Sequence, residues 1–351
     1  MKVLILWSHL SGYMAASWRA LAAVPGVEVF VLAFQSDSDA PFDAGVLGDV
    51  PHRLLTWAER NDVRLVQGLA RRFRPDAILV GGWNHKAYRA VVTDRAHVEA
   101  RTILGLDTQL RLDWRQAVGR RLLRGHLKHI DRVAVAGERA AMYARYLGFD
   151  GTRIRFGLYG VDFAAFASIL ARRLAAGPWP KRFLYVGRYA AEKDLDTLLA
   201  GYAQYRVAAG AGAWELVCCG AGSEKNRVRG DGVTDLGFVP PDRQADVFAN
   251  AGVLVMPSRY EPWGVAIAEG ACVGLPLICS DACGAAADVL RDGYNGRLFA
   301  AGDPTSLARA MAAVTHADLP TWGERSRALG AAFDARSWPQ RVFEGLLPTS
   351  S

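Results

Sequence analysis

Short apolar runs recur along the whole chain, each followed by a longer stretch of helical periodicity. In the first half, Val3–Leu6, Val27–Leu32, Ala77–Val80, Thr102–Leu104 and Arg132–Val135 read as strands. Phe183–Val186, Glu215–Cys218, Val253–Met256 and Leu277–Cys279 repeat the plan in the second half. Helical patterns lie between, at Ser17–Val24 and Arg53–Phe73 and starting from Leu195, Pro241, Val265 and Pro304. Continuous apolar strands alternating with helices predict parallel sheets covered on both faces. A length of 351 residues fits two such domains. The expected division is 1–165, 166–330 and a C-terminal segment 331–351 that packs back toward the first domain. Ala175–Pro180 reads as a linker region between the halves. The architecture expected is α/β, with two doubly wound domains facing each other across a cleft. Ligands in such sheets bind beyond the carboxyl ends of the strands.

Composition excludes several classes. Hydrophobic residues make up 51% and charged residues 22%, as in ordinary globular chains rather than disordered ones. No apolar run approaches the ~20 residues of a membrane span. The apolar stretch after Met1 and Lys2 ends at Ser8, so it reads as a first strand rather than a secretory segment. Cys218, Cys219, Cys272, Cys279 and Cys283 form no CxxC pair and sit in apolar or Gly-rich sequence. They read as buried thiols of a reducing cytoplasm. The histidines include no HExxH, and His126 and His129 have no thiol close by in sequence. Asp37-Ser-Asp39 and Asp194-Leu-Asp196 have the form of a metal-binding DxD, but so short a pattern is common by chance, and no metal is expected.

The net charge of +7 is unevenly placed. Residues 1–165 carry 23 Lys and Arg against 16 Asp and Glu, whereas residues 166–351 carry 19 of each. The densest stretch is Arg111–Lys128, where six cations face Asp113 alone and Trp114, Ala117, Val118, Leu122 and Leu123 recur near helical spacing. Such a stretch suits a solvated surface helix with its apolar stripe on the core. It equally suits a helix resting on an anionic membrane, or one meeting an anionic substrate. Nucleic acid is not expected, because no recognition motif accompanies the charge.

Several segments carry chemistry. Gly12 stands in the turn between the first strand and its helix, where a ligand can approach the backbone and a helix N-terminus favours an anion. Gly220-Ala-Gly222 also follows a strand, but Lys225 stands where a dinucleotide fingerprint needs glycine. In Val186-Gly187-Arg188…Lys193, two cations occupy the loop between a strand and a helix. They can hold a diphosphate, each on a different oxygen, or simply be solvated. Pro257–Gly270 is the most telling segment. Glu261 falls in the loop after a strand, Gly264 and Val265 open a helix, and Glu269 lies within it. Free amides at that helix start can bind phosphate. An acid inside the apolar helix Val265–Cys272 is costly to bury unpaired, so a ligand partner explains Glu269 best.

Glu261-x7-Glu269, preceded by Pro257-Ser258 and followed by Gly274–Ser280, resembles the signature of the retaining family-4 glycosyltransferases of the GT-B fold. Gly187-Arg188…Glu192–Leu199 resembles that family's diphosphate-binding segment. Tyr159–Asp162, Gly220–Glu224, Leu236–Pro240 and Asn295–Leu298 follow in the family's order. The likeness is dense in the second half and loose in the first. It implies two Rossmann-like domains and a nucleotide-diphosphate sugar as co-substrate, with no cofactor and no metal. It further implies Arg188 and Lys193 on the diphosphate, Glu269 on the ribose, and Gly220, Gly222, Phe238 and Val239 around the base. Glu261 would contact the donor sugar, with Trp263, Gly264 and Val265 beside it and Gly12 approaching from the acceptor side. Many relatives place a histidine where Leu104–Gln109 stands here; this chain has Asp107 instead, and His9 and His85 are further candidates to line the cleft. The implied catalytic set is Glu261, Arg188, Lys193 and Asp107. The acceptor would be a glycan, a lipid-linked or a small molecule, in cytoplasmic polysaccharide, lipopolysaccharide or glycoconjugate assembly, with an anionic membrane as a further partner. A GT-B nucleotide-sugar epimerase and a non-catalytic sugar-nucleotide-binding protein are the alternatives.

Overall fold

The computed structural model describes residues 1–35 and 44–348. The Asp37-Ser-Asp39 motif lies outside the described residues. The chain forms two compact units, Met1–Gly160 with Ala335–Ser351, and Val161–Asp334.

The first unit is built on seven parallel strands: β1 (Lys2–Leu6), β2 (Glu28–Phe34), β3 (His52–Leu55), β4 (Ala77–Gly81), β5 (Arg101–Leu106), β6 (Arg132–Val135) and β7 (Ile154–Phe156), in the order β3-β2-β1-β4-β5-β6-β7. Helices α1 (Gly12–Ala22), α2 (Val63–Phe73), α3 (Lys86–Val92), α4 (Trp114–Leu127) and α5 (Glu138–Leu147) connect them. The central strands are buried on both faces, with Val3–Leu6 and Ile78–Val80 almost wholly inaccessible. Burial on two faces is why these strands read as unbroken apolar runs.

Two expectations for this unit change. Arg53–Phe73 is not one helix: His52–Leu55 pairs with β2 as an edge strand, and α2 starts only at Val63. Asp62 caps that helix by accepting from the Leu65 amide, so its true start lies there. The helix expected from Ser17 begins at Gly12, because Ser11 takes the extended N-cap conformation. In α4 the core face is formed by Gln116, Leu123 and Leu127. Trp114, Val118 and Leu122 point to solvent with 71%, 48% and 78% of their surface exposed. Of the apolar stripe, Leu123 packs on the core, whereas Trp114, Val118 and Leu122 do not.

The second unit has six parallel strands, β8 (Arg182–Val186), β9 (Glu215–Cys219), β10 (Val233–Asp235), β11 (Val253–Met256), β12 (Leu277–Ser280) and β13 (Gly296–Phe299), in the order β10-β9-β8-β11-β12-β13. Its helices are α6 (Ile169–Ala175), α7 (Leu195–Ala209), α8 (Pro241–Ala249), α9 (Val265–Cys272), α10 (Ala286–Val289), α11 (Pro304–Thr315) and α12 (Leu319–Gly330). The Ala175–Pro180 stretch lies inside this unit rather than between the two. Trp179 donates its indole N–H to the Gly252 carbonyl at 2.8 Å and carries the Arg173 guanidinium over its ring. All five cysteines are buried and free, and burial pushes the Cys219 thiol up to about 12.

The chain then returns to the first unit through α13 (Trp338–Val342). The Trp338 indole is fully buried and donates to the Leu158 carbonyl at 2.6 Å, and Glu344 pairs with Arg155 at 2.8 Å. Among the described residues no helix is long and apolar enough to cross a membrane.

Candidate functional site

In the second unit the chain runs from β8 outward through β9 and β10, then crosses to β11, β12 and β13 on the other side. The loops leaving β8 and β11 therefore diverge at the carboxyl edge, which opens a crevice at this switch point. Three links in particular tie the two loops together. The Arg259 amide donates to the Glu192 carbonyl at 2.9 Å, and the Arg259 guanidinium pairs with buried Asp194 at 2.8 Å. The third is an ion pair between the Lys193 ammonium and the Glu261 carboxylate, whose side chains are only 12% and 10% exposed.

Local structure fixes each partner. Asp194 takes a left-handed conformation, φ 54°, that ends the β8 loop and opens α7. Glu261 is gripped through its backbone, whose carbonyl accepts from the Gly284 amide at 3.0 Å. A Cβ on Gly284 would lie 2.1 Å from the Pro262 carbonyl oxygen, so only glycine permits this approach. Beneath them, Ser258 is buried, and its carbonyl accepts from the Ser280 hydroxyl at 2.6 Å.

Gly264, with φ 99°, precedes α9 and no side chain caps that helix. The Ile267 amide donates to the Gly264 carbonyl at 3.0 Å, which leaves the Val265 and Ala266 amides as the open donors of the loop. Glu269 lies further along α9, partly accessible, and its carboxylate has no protein partner among the described residues. Burial by the surrounding protein pushes its pKa up to about 7. Arg188 is exposed and pairs with Glu192 at 2.9 Å, while its carbonyl accepts from the Tyr185 hydroxyl at 2.8 Å.

Gly220 and Gly222 have a packing role. A Cβ on Gly220 would lie 1.9 Å from the Gly187 carbonyl, and one on Gly222 lies 2.3 Å from that of Tyr189. The β9 loop is thereby pressed onto the β8 loop, and Tyr189 donates its amide to the Ala221 carbonyl at 2.8 Å. Asp235 accepts from the Tyr189 hydroxyl at 2.7 Å and from the Gly237 amide at 2.8 Å, which sets the turn into Phe238 and Val239. Phe238 is exposed and Val239 half-buried. Trp263 differs from its neighbours. It is 2% exposed, donates to Asp288 at 3.0 Å and packs on Phe333, so its ring is core rather than a wall of the crevice.

Arg188, Lys193, Gly220, Gly222, Phe238, Val239, Glu261, Gly264 and Val265 all lie on or beside loops leaving this unit's strands or at the start of α9, and Glu269 lies within α9. Gly12 and Asp107 belong to the first unit. Gly12 opens α1, and Asp107 lies just after β5 in the wall of a cavity of about 600 Å³ at the β1/β4 switch point. The Tyr159 hydroxyl donates to Asp107 at 2.8 Å. His9 lines the same cavity, whereas the His85 ring packs edge-on to Phe34 at 4.6 Å, with burial lowering its pKa. In Asp194-Leu-Asp196 the two acids are engaged by Arg259 and Arg227. The Arg259–Asp194 clamp and the Asp235 turn had no signal in the sequence, because both depend on loops brought together by strand order.

Residues 180–316 match the sequence model of a family described as glycosyl transferases group 1. The chain is 31% identical over 230 residues to a D-inositol 3-phosphate glycosyltransferase of Thermomonospora curvata, covering 58% of this chain and 52% of the relative. It is 31% identical over 204 residues to a phosphatidyl-myo-inositol mannosyltransferase of Mycobacterium leprae, covering 55% and 52%. The chain spans about half the length of these curated relatives. Among solved structures, Anabaena HepE in complex with UDP superposes with a TM-score of 0.75 at 18% identity, over 99% of both chains. Sucrose-phosphate synthase from Thermosynechococcus elongatus does so with 0.71 at 20% identity, over 96% of both. The two parallel α/β sheets are those of the GT-B glycosyltransferase fold.

Proposed function

We propose that this chain is a glycosyltransferase that moves a sugar from a nucleoside-diphosphate sugar to an acceptor hydroxyl. The observation that carries the proposal is the Lys193–Glu261 pair, a nearly buried cation and carboxylate held at the β8/β11 switch point beside the uncapped start of α9. Lys193, Arg188 and the α9 amides together neutralise a departing diphosphate, with charge fixed in place before reaction. Glu261 accepts a hydrogen bond from a hydroxyl of the donor sugar. Glu269 accepts both ribose hydroxyls, and Phe238 and Val239 border the base. The UDP complex of HepE and the names of the curated relatives support a nucleotide-sugar donor.

The reaction proposed retains anomeric configuration and needs no metal, since side-chain cations and helix amides supply the positive charge. It belongs to cytoplasmic polysaccharide, lipopolysaccharide or glycoconjugate assembly. Asp107 faces the acceptor. The exposed stripe of α4, flanked by Arg111, Arg115, Arg120, Arg121 and Arg124, favours a second element of the proposal, a resting place on anionic phospholipid.

Incubation with a panel of nucleotide sugars, followed for released nucleotide and for the sugar product, tests the proposal. Release should occur with one donor class and persist in EDTA. Loss in EDTA restored by Mg²⁺ or Mn²⁺ would refute metal independence. An epimerised free sugar nucleotide would favour the epimerase alternative, and binding without turnover the non-catalytic one.

A further inference from the structure

The cavity in the first unit has its own chemical character. Its polar side chains include Ser11, His9, Asn84, Asp107 and Thr108, and neither lysine nor arginine lies among its described lining residues. Ser11 is only 8% exposed, yet its hydroxyl has no hydrogen-bond partner among the described residues. It stands at the N-cap position of α1 without capping that helix. A buried hydroxyl left unpaired is costly, and a ligand hydroxyl in the cavity would recover that cost.

Asp107 adds a fixed carboxylate. One oxygen is held by Tyr159, and the other has no partner among the described residues. It can accept from hydroxyls of a ligand and repels a phosphate. Tyr13 packs edge-to-face on Tyr159 at 5.2 Å, and both line the cavity with Trp83. Rings with a few convergent polar groups suit an apolar-faced ring bearing hydroxyls. The amides opening α1 favour an anion, but the Asp107 charge in the same cavity opposes one, and a bound phosphate normally meets Arg or Lys.

Given the glycosyl-transfer reading above, on which the assignment rests, we infer that this cavity takes an uncharged polyol acceptor. The acceptor is the ring of a sugar or cyclitol without phosphate, its hydroxyls met by Ser11 and Asp107.

Two measurements on the full chain test this. Saturation-transfer NMR without donor compares glucose and myo-inositol with glucose 6-phosphate and D-inositol 3-phosphate. The uncharged ligands should bind, the phosphorylated ones more weakly by about ten-fold or more, and Ser11→Ala and Asp107→Asn should each weaken the uncharged ones. With the donor found in the panel, the same two variants should raise the acceptor KM. Tighter binding of the phosphorylated ligands, no binding of either kind, or uncharged binding unchanged in both variants overturns the inference. Uncharged binding without any nucleotide release would sink the glycosyl-transfer reading while leaving the cavity's preference standing.

Discussion

Lys193 and Glu261 are mutually dependent. Each neutralises a charge that would otherwise be nearly buried alone, and removing one partner of such a pair is far more damaging than removing both. Lys193→Ala should lower stability by roughly 3 kcal/mol, and adding Glu261→Gln to Lys193→Met should recover most of the loss. Urea titrations that find Lys193→Ala as stable as wild type would mean that the pair is not buried in solution. Arg188 behaves differently, because its pair with Glu192 is exposed. Arg188→Ala should leave stability within about 0.5 kcal/mol and weaken nucleoside-diphosphate binding by about 1.5–3 kcal/mol. Glu269 supplies a pH signature. Its carboxyl holds its proton up to about pH 7. Ribose hydroxyls bind the ionised form better, so nucleotide affinity should climb as pH rises through 7 and level off above it. Glu269→Gln should remove that climb and leave only the slope of the phosphate's own titration; calorimetry at pH 6 and pH 8 separates the two.

At the scale of elements, α4 makes the clearest prediction. Trp114 and Leu122 are exposed, so changing both to Ser should leave the thermal midpoint nearly unchanged. The same change should reduce co-sedimentation with anionic liposomes, as should Arg120, Arg121 and Arg124 together to Gln. Binding should fade at high salt, each cation contributing about 1 kcal/mol near the surface. No sedimentation at low ionic strength would remove the membrane and favour a freely diffusing acceptor. The far end of α4 carries His126, whose two ring nitrogens are buried with no hydrogen-bond partner among the described residues. Burial first, then Arg89 and His129, lowers its pKa to about 4. Between that value and the ordinary 6.5 the unfolded chain binds this proton and the folded chain does not, so stability falls as pH falls through the window. Because the ring is partly solvated, the loss should be about 1–2 kcal/mol, and His126→Leu should reduce it. Parallel stability profiles for the two proteins from pH 7 to pH 4 would show the assignment to be wrong.

Across the whole molecule, legibility followed burial. Every interior strand of both sheets stood out as an apolar run, because parallel strands covered on two faces need apolar residues at every position. The strands not recognised, β3, β7, β10 and β13, are the four sheet edges. They are three or four residues long and carry His52, Arg155, Thr234 or Arg297 where solvent reaches them. The loops of the second unit were legible because Gly264, Glu261 and Lys193 answer to local chemistry. Trp263 misled, since an indole beside a site motif looks like a wall until its partners Asp288 and Phe333 place it in the core. Ser11 and the Arg259–Asp194 clamp were silent, as their meaning depends on neighbours distant in the chain. Nucleoside-diphosphate binding at the β8/β11 switch point is the central claim, and calorimetry with UDP, GDP and ADP on the wild type, Arg188→Ala and Glu269→Ala tests it most directly. One of the three nucleotides should bind the wild type, with affinity reduced about ten-fold or more in each variant while both stay folded. Binding that is equal in all three proteins, or absent for every nucleotide in a folded wild type, would contradict it.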